Sequence, residues 1–159
     1  ELKSATASML ASARAYAPAA HIEGVLIQQQ HQAVGEVLLG LRRDPSIGPV
    51  VTIGMGGTVA EIYKDFAVRR APISTAEATQ MLDEVRGAAV LKGFRGKLRG
   101  DIAALAAAAA RFSELAADPH IAEAEINPVL VLPEGRGVIA VDGLVVVDGR
   151  SRRNTSASD

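Results

Sequence analysis

The sequence contains no cysteine and no tryptophan, and only 3% of its 159 residues are aromatic. Without cysteine the chain forms neither disulfides nor thiolate metal centres. So few rings leave little from which to build an aromatic cage or a base-stacking platform. Charge of one sign is not in excess either: 17 Lys and Arg stand against 18 Asp and Glu, a formal net charge of −1. That balance argues against a nucleic-acid partner and against an acidic solvating segment. No apolar run approaches the ~20 residues of a membrane span, so no membrane partner is expected. The first residues, Glu1-Leu2-Lys3-Ser4, hold neither a signal peptide nor an initiating methionine, and the chain is expected to come from something longer. No internal repeat is visible. What is present is one domain's worth of chain, 48% hydrophobic and long enough for a real core.

Apolar residues at Leu2, Ala5, Met9, Leu10, Ala13 and Tyr16 follow helical spacing and predict a helix ended by Pro18. After a turn at His21-Ile22-Glu23-Gly24, Val25-Leu26-Ile27 reads as a strand running into Gln28-Gln29-Gln30. Gly35 opens a second strand over 36–41, and Asp44-Pro45-Ser46-Ile47-Gly48-Pro49 is a dense turn signal. A third strand, Val50-Val51-Thr52-Ile53, enters Gly54-Met55-Gly56-Gly57. Residues 59–68 fit a strand or a short helical turn, with strand favoured for Phe66-Ala67-Val68. Ser74-Thr75-Ala76-Glu77 fits a capping box, and the helix it opens carries Ala78, Met81, Leu82, Val85 and Ala89 on one stripe. Gly93-Phe94-Arg95-Gly96 breaks that helix. Asp101 suits the N-cap of another, with Ile102, Leu105, Ala109, Phe112 and Ala116 inward and an end at Asp118-Pro119. Two strands follow, and residues 150–159 read as a disordered polar tail. Consecutive strands with short turns and segregated helices predict an α+β fold, a mostly antiparallel sheet with helices packed on it.

The last two strands carry the candidate chemistry. Ala124 to Val131 and the run ending in Val141-Asp142-Gly143 flank the turn Pro133-Glu134-Gly135-Arg136, which predicts a hairpin with a four-residue loop. If Leu132 pairs with Gly137, the register continues to Asn127 opposite Asp142. Glu125 lies two residues further on the same face, because side chains alternate with period two. Two carboxylates and a carboxamide thus converge at one end of an otherwise apolar hairpin. Such oxygen ligands suit Mg²⁺, which takes one or two protein groups together with phosphate oxygens and water. The same residues also fit a polar hairpin end facing solvent, with Asn-Pro merely ending the pairing. His21, His31 and His120 have no metal-ligand spacing and read as surface or loop residues.

A dozen landmarks in order carry a resemblance. They are Gly24-Val25-Leu26-Ile27-Gln28, Gly35-Glu36, Arg43-Asp44-Pro45, Gly48-Pro49-Val50-Val51, Gly54-Met55-Gly56-Gly57, Glu61, Asp65, Ala71-Pro72, Gly93-Phe94-Arg95-Gly96, Asp101, Glu125-Ile126-Asn127-Pro128 and Val141-Asp142. Together they closely resemble the ATP-grasp domain of NDP-forming acyl-CoA synthetases. That group includes ADP-forming acetyl-CoA synthetase, relatives fused to protein acetyltransferases and, more distantly, the succinyl-CoA synthetase β subunit. The resemblance implies an ATP-grasp-like fold, with Asn127 and Asp142 holding Mg²⁺ against the phosphates of ATP or ADP. It implies that Glu125 faces the phosphohistidine carried between two half-sites. Gly54, Gly56 and Gly57 would line the phosphoryl path, where glycines let backbone N–H groups approach an anion; close sheet packing or a β-bulge explains them as well. Gln28 and Gln30 would lie at the adenine, and Glu36 at the ribose or a metal-bound water. Arg95 would meet an anionic partner, unless it only caps the preceding helix.

Nothing in the chain matches the upstream His-Lys lobe of an intact ATP-grasp domain, nor the CoA-binding and phosphohistidine-bearing domains. Residues 1–149 are therefore expected to be the C-terminal portion of an ATP-grasp module, with little or no turnover alone. The implied reaction is that of an acid–thiol ligase, acyl-CoA + ADP + phosphate ⇌ acid + CoA + ATP. The expected partners are a nucleotide, a CoA thioester reached through the missing domains, and a CoA-binding or phosphohistidine-bearing domain or subunit. A cytoplasmic setting is expected, with an exposed apolar surface where the missing lobe docks and self-association of the fragment through it. The alternative is a non-catalytic ligand-binding or oligomerisation module of a synthetase-like protein acetyltransferase.

Overall fold

The structure, a computed structural model, describes residues 1–57 and 65–148. The expected tail and most of the ambiguous 59–68 segment, Glu61 included, lie outside the described residues. The chain divides into two compact units, Glu1–His31 and the residues from Gln32 onward.

In the first unit, helix α1 spans Leu2–Tyr16 as the spacing predicts, ending at Ala17, whose N–H donates to the Ala13 carbonyl at 2.9 Å. None of its residues is buried. Leu2, Lys3, Thr6, Ala7 and Leu10 line a shallow apolar hollow together with Ile27. The expected strand at Val25–Ile27 does not form: residues 20–33 have no regular structure. A strand needs a neighbour to satisfy its N–H and C=O groups, and this unit offers none.

The second unit is built on one antiparallel sheet of β1 (Gly35–Asp44), β2 (Gly48–Met55), β3 (Phe66–Arg70), β4 (Ile121–Val131), β5 (Val138–Ala140) and β6 (Gly143–Val147). The spatial order is β3-β2-β1-β4-β5, with β6 also paired to β4. Alternation decides the faces. On β1, Val37, Leu39 and Leu41 are each 1% exposed and point into the core, with Val51, Ile53, Ala67, Ala124, Val129 and Val131 from the other strands. A one-residue slip would bring the three β1 side chains to solvent at roughly 5–9 kcal/mol, so the register is strongly held.

Helix α2 (Thr75–Glu84) and helix α3 (Ile102–Ser113) cover this core face. The Ser74–Glu77 capping box is present, and the paired N–H and hydroxyl donors of Ser74 hold the Glu77 carboxyl below its usual range. The stripe expected through Ala89 is broken, however. The Asp65 carboxylate accepts from the N–H groups of Arg86 (3.1 Å) and Gly87 (2.7 Å), which starts a separate 3₁₀ helix over Arg86–Lys92. Ala88 and Leu91, rather than Ala89, then enter the core.

Two long-range ties close the layer. Arg43 donates from Nε to the Ile121 carbonyl (2.8 Å) and from Nη2 to those of Ala116 (2.8 Å) and Asp118 (2.7 Å), satisfying carbonyls left open where the helical segment ends. Ser113, fully buried, accepts from the Ile73 N–H at 2.9 Å and donates to the Ala110 carbonyl at 2.6 Å. Ser113→Ala leaves that buried N–H without a partner. It should lower unfolding stability by about 1–3 kcal/mol, read as a shift in denaturant midpoint at unchanged slope.

Candidate functional site

Among the described residues of this unit, no helix lies on the face of the sheet opposite α2 and α3. Because residues paired across strands project to the same side, the register orders that face into rows. One row runs Phe66, Gly54, Leu38, Asn127 and Asp142. The next runs Val68, Thr52, Gly40, Glu125 and Leu144. Beyond it come Arg70, Val50, Arg42, Glu123 and Val146. On the other side of the Asn127 row lie Glu36, Leu130 and Ile139.

The hairpin has the register read from its turn. The Leu132 N–H donates to the Gly137 carbonyl at 3.1 Å, and the Asn127 N–H to the Asp142 carbonyl at 3.1 Å. The polar residues do not sit at a hairpin end, though. β6 continues the pairing back to Ile121, so Asn127 lies midway along β4, with Asp142 opposite it between β5 and β6. The physical reason is that Asn127-Pro128 does not end pairing but bulges. Between Val37↔Val129 and Leu39↔Ile126, β1 advances two residues and β4 three, so Asn127 and Pro128 together oppose Leu38. A bulge re-aims side chains. Here the core-facing positions change from Ala124 and Ile126 to Val129 and Val131, which leaves Glu125 and Asn127 on the open face.

The bulged hairpin is anchored at its turn. Asp101 caps α3 through Ala104 N–H (3.1 Å) while its other oxygen accepts from Gly137 N–H (2.9 Å), and its own N–H donates to the Leu132 carbonyl. The Gly137 and Ala104 donors hold the Asp101 carboxyl below its usual range. Sequence alone identified Asp101 as a cap and missed this second role, which requires the turn and the helix start to be adjacent.

Glu125 and Asn127 are half-buried, Glu36 and Asp142 exposed. None of these four side chains makes a hydrogen bond or ion pair with the described residues. No three His, Cys, Asp or Glu side chains form a metal-binding group among the described residues. The donors therefore do not form an all-protein cage. One carboxylate and one carboxamide facing each other do fit Mg²⁺ held largely by phosphate oxygens and water.

The three glycines beside the site have different physical reasons. A Cβ on Gly54 would lie 3.2 Å from the Asp65 carbonyl and from Phe66 Cβ, and one on Gly56 3.1 Å from the Val37 backbone. Both are explained by close packing, and the Gly56 N–H is already donated to the Glu36 carbonyl at 2.8 Å. Gly57 has φ +79°, and a Cβ there would meet the Glu36 carboxylate at 2.8 Å, so its absence leaves room for that side chain. Gln28 and Gln30, exposed and outside any strand, belong to the first unit. Arg95 lies in the short 3₁₀ turn Phe94–Gly96 that precedes α3, exposed, with φ 54° and its guanidinium 5.3 Å from the ring of Phe94. It makes no hydrogen bond among the described residues and does not cap the preceding helix, which ends on Gly93 with φ 86°.

A family model described as an ATP-grasp domain matches residues 1–147. An ADP-forming acetate–CoA ligase I of Archaeoglobus fulgidus is 39% identical over 140 residues, 87% of this chain and 20% of that protein. The β subunit of ADP-forming acetate–CoA ligase II of Pyrococcus furiosus is 35% identical over 151 residues, 94% of this chain and 64% of that subunit. Among solved structures, dinucleotide forming acetyl-coenzyme A synthetase 1 of Ca. Korarchaeum cryptofilum, in complex with coenzyme A, Ca-AMPCP and HgCl+, superposes with TM-score 0.75 at 35% identity. That match covers 91% of this chain and 63% of the other. The same synthetase with coenzyme A and Mg-AMPPCP, its phosphohistidine segment pointing towards the nucleotide-binding site, gives TM-score 0.70 at 35% identity over 75% of this chain and 55% of the other. The chain spans a fifth of the length of the Archaeoglobus relative. No helix among the described residues is long and apolar enough to cross a membrane.

Proposed function

Since the chain belongs to the ATP-grasp domain family, we propose that its open sheet face holds a Mg²⁺-bound adenine nucleotide within an NDP-forming acid–CoA ligase. The observation that carries this is the placement of Asn127 and Asp142 in one row and Glu125 in the next, without hydrogen-bond or ion-pair partners among the described residues, on the sheet face opposite α2 and α3. Asn127 and Asp142 would hold Mg²⁺, which would draw the phosphate oxygens together and offset their charge. Gly57 and Glu36 would border the phosphate end, and Arg95 would meet an anionic group of a partner. The complexes of the Korarchaeum synthetase with Mg-AMPPCP and with coenzyme A support this assignment.

The whole protein would interconvert acyl-CoA, ADP and phosphate with acid, CoA and ATP through a phosphohistidine. In the ATP-consuming direction a neutral imidazole nitrogen attacks the γ-phosphorus. The bond to the β–γ bridging oxygen breaks, and its electron pair leaves on ADP. The ring becomes cationic, with its remaining N–H directed to the Glu125 carboxylate, which orients it and offsets its charge. Residues 1–149 are on this reading the larger C-terminal part of the ATP-grasp module, and a CoA-binding, phosphohistidine-bearing domain or subunit supplies the rest. Exposed Phe66, Val68, Leu144 and Val146 on the same face suit a covering lobe or a second copy. A cytoplasmic setting belongs to the same reading.

The test is to incubate the full-length protein with γ-labelled ATP and Mg²⁺. A phosphoenzyme that survives alkali and is lost in acid is expected. Nucleotide binding without any phosphoenzyme would favour the non-catalytic ligand-binding module instead.

A further inference from the structure

Two glycines lie in the interior of strands and project onto the open face, Gly54 and Gly40. Glycine inside a strand is destabilising relative to alanine and gives up cross-strand packing. Gly54 has a reason within the chain, the tight approach of β3. Gly40 has none. Its φ is not left-handed, and a Cβ there would meet only Leu38 Cδ2 and Thr52 Cβ, each at an ordinary 3.7 Å. Alanine would fit and most β-branched residues would pair better. Nothing among the described residues therefore accounts for the missing side chain, which leaves room on this face for an incoming group.

Its position says what. Gly40 sits on β1 between Thr52 of β2 and Glu125 of β4, with Leu38 and Arg42 before and after it on the same face. By register this leaves a gap one side chain wide at Gly40, flanked on β4 by Glu125 and bordered along β1 by Leu38, whose Cδ2 comes within 3.7 Å of where a Cβ would stand. On β2 it is flanked by the hydroxyl-bearing Thr52, and apolar Leu38 belongs to the row of Asn127 and Asp142. Directly opposite side chains have Cβ atoms about 4.5–5.5 Å apart, so γ-methyl groups on residue 40 would press against Glu125 and fill the space beside it.

We infer that Gly40 is a positioning residue: it keeps open the gap through which the incoming histidine ring reaches Glu125. A flat imidazole fits a slot of that width, one edge presenting N–H to the carboxylate and the other directed along β1 to the row of Asn127 and Asp142. The inference rests on the phosphohistidine reading above and adds the residue that admits the ring.

The test uses the full-length protein with Gly40→Ala and Gly40→Val. Melting temperature, Mg·ADP affinity and the rate of phosphoenzyme formation from Mg·ATP are measured on each. Gly40→Val should melt no lower than the parent and bind Mg·ADP within about twofold, yet form phosphoenzyme about 10²-fold more slowly, the scale of a small misplacement of reacting groups. Gly40→Ala should lose about tenfold, and it carries the test if the valine variant does not fold. A well-folded Gly40→Val that is phosphorylated at the parent rate overturns the inference and leaves the phosphohistidine reading intact. Loss of nucleotide affinity in step with phosphorylation also overturns it, since Gly40 would then serve the nucleotide or the fold. A parent protein that forms no phosphoenzyme overturns the reading and the inference together.

Discussion

Glu125→Gln is expected to slow phosphoenzyme formation in the full-length protein by about 10²–10³-fold while leaving Mg·ADP affinity within about twofold. Glutamine keeps the size and the period-two placement opposite Gly40 and Leu144, so packing and strand pairing are not disturbed. What it loses is the negative charge. A neutral carboxamide can still accept a hydrogen bond from the imidazole N–H, but it does not offset the positive charge the ring acquires as the N–P bond forms. Glu125 has no hydrogen-bond or ion-pair partner among the described residues, so its removal orphans no group among them. The control is Glu123→Gln. Glu123 projects from the same strand to the same face one row further on, opposite Arg42. It should leave phosphorylation near the parent rate, because it lies one row from the position assigned to the ring and would make no hydrogen bond to it. Equal losses in both variants would reduce the effect to the net charge of the face.

Much of this site is legible in the residues because the ladder that builds it is local. The four-residue turn after Val131 and Leu132 sets the Leu132–Gly137 pair, and from there to Asn127 and Asp142 no residue is inserted on the β4–β5 side. The bulge lies on the other edge of β4, against β1, where register depends on a strand some ninety residues earlier in the chain. Pro128 is its one local signal. A proline nitrogen cannot donate to a ladder, so inside a paired strand it marks an edge or a bulge, and the second reading was the right one. The alternation of Val37, Leu39 and Leu41 makes the core face of β1 plain, and with it the opposite face bearing Glu36 and Gly40. By contrast, the break in the helical stripe at Val85 depends on Asp65, whose carboxylate arrives 21 residues from Arg86 in sequence. Propensity along the helix carries no trace of that. Val25-Leu26-Ile27 has the composition of a strand and the exposure of a loop, with Leu26 80% exposed. Strand composition is a statement about fitting a pleated surface, and the first unit contains no such surface.

The other large effect concerns the metal. Asn127 and Asp142 are joined by a backbone hydrogen bond, and their side chains share one row with Leu38 and Gly54. Mg²⁺ dehydrates reluctantly and takes few protein ligands, so on the proposed assignment losing both of these would remove the protein's direct hold on the ion. Removal of groups that only orient metal ligands typically costs 10–100-fold; removal of the ligands themselves is expected to weaken Mg·ADP by at least about 10²-fold, or roughly 2.7 kcal/mol. Substitution to alanine spares the Asn127 N–H and the Asp142 carbonyl, so the hairpin should persist and the melting temperature without nucleotide should change little. Calorimetric titration of ADP into the full-length protein, with and without Mg²⁺, beside the Asn127→Ala/Asp142→Ala variant, therefore tests the central claim most directly. The account predicts binding that requires Mg²⁺ in the parent and is lost in the folded double variant. Mg·ADP binding of equal strength in both would contradict it and remove the nucleotide phosphates from this face of the sheet.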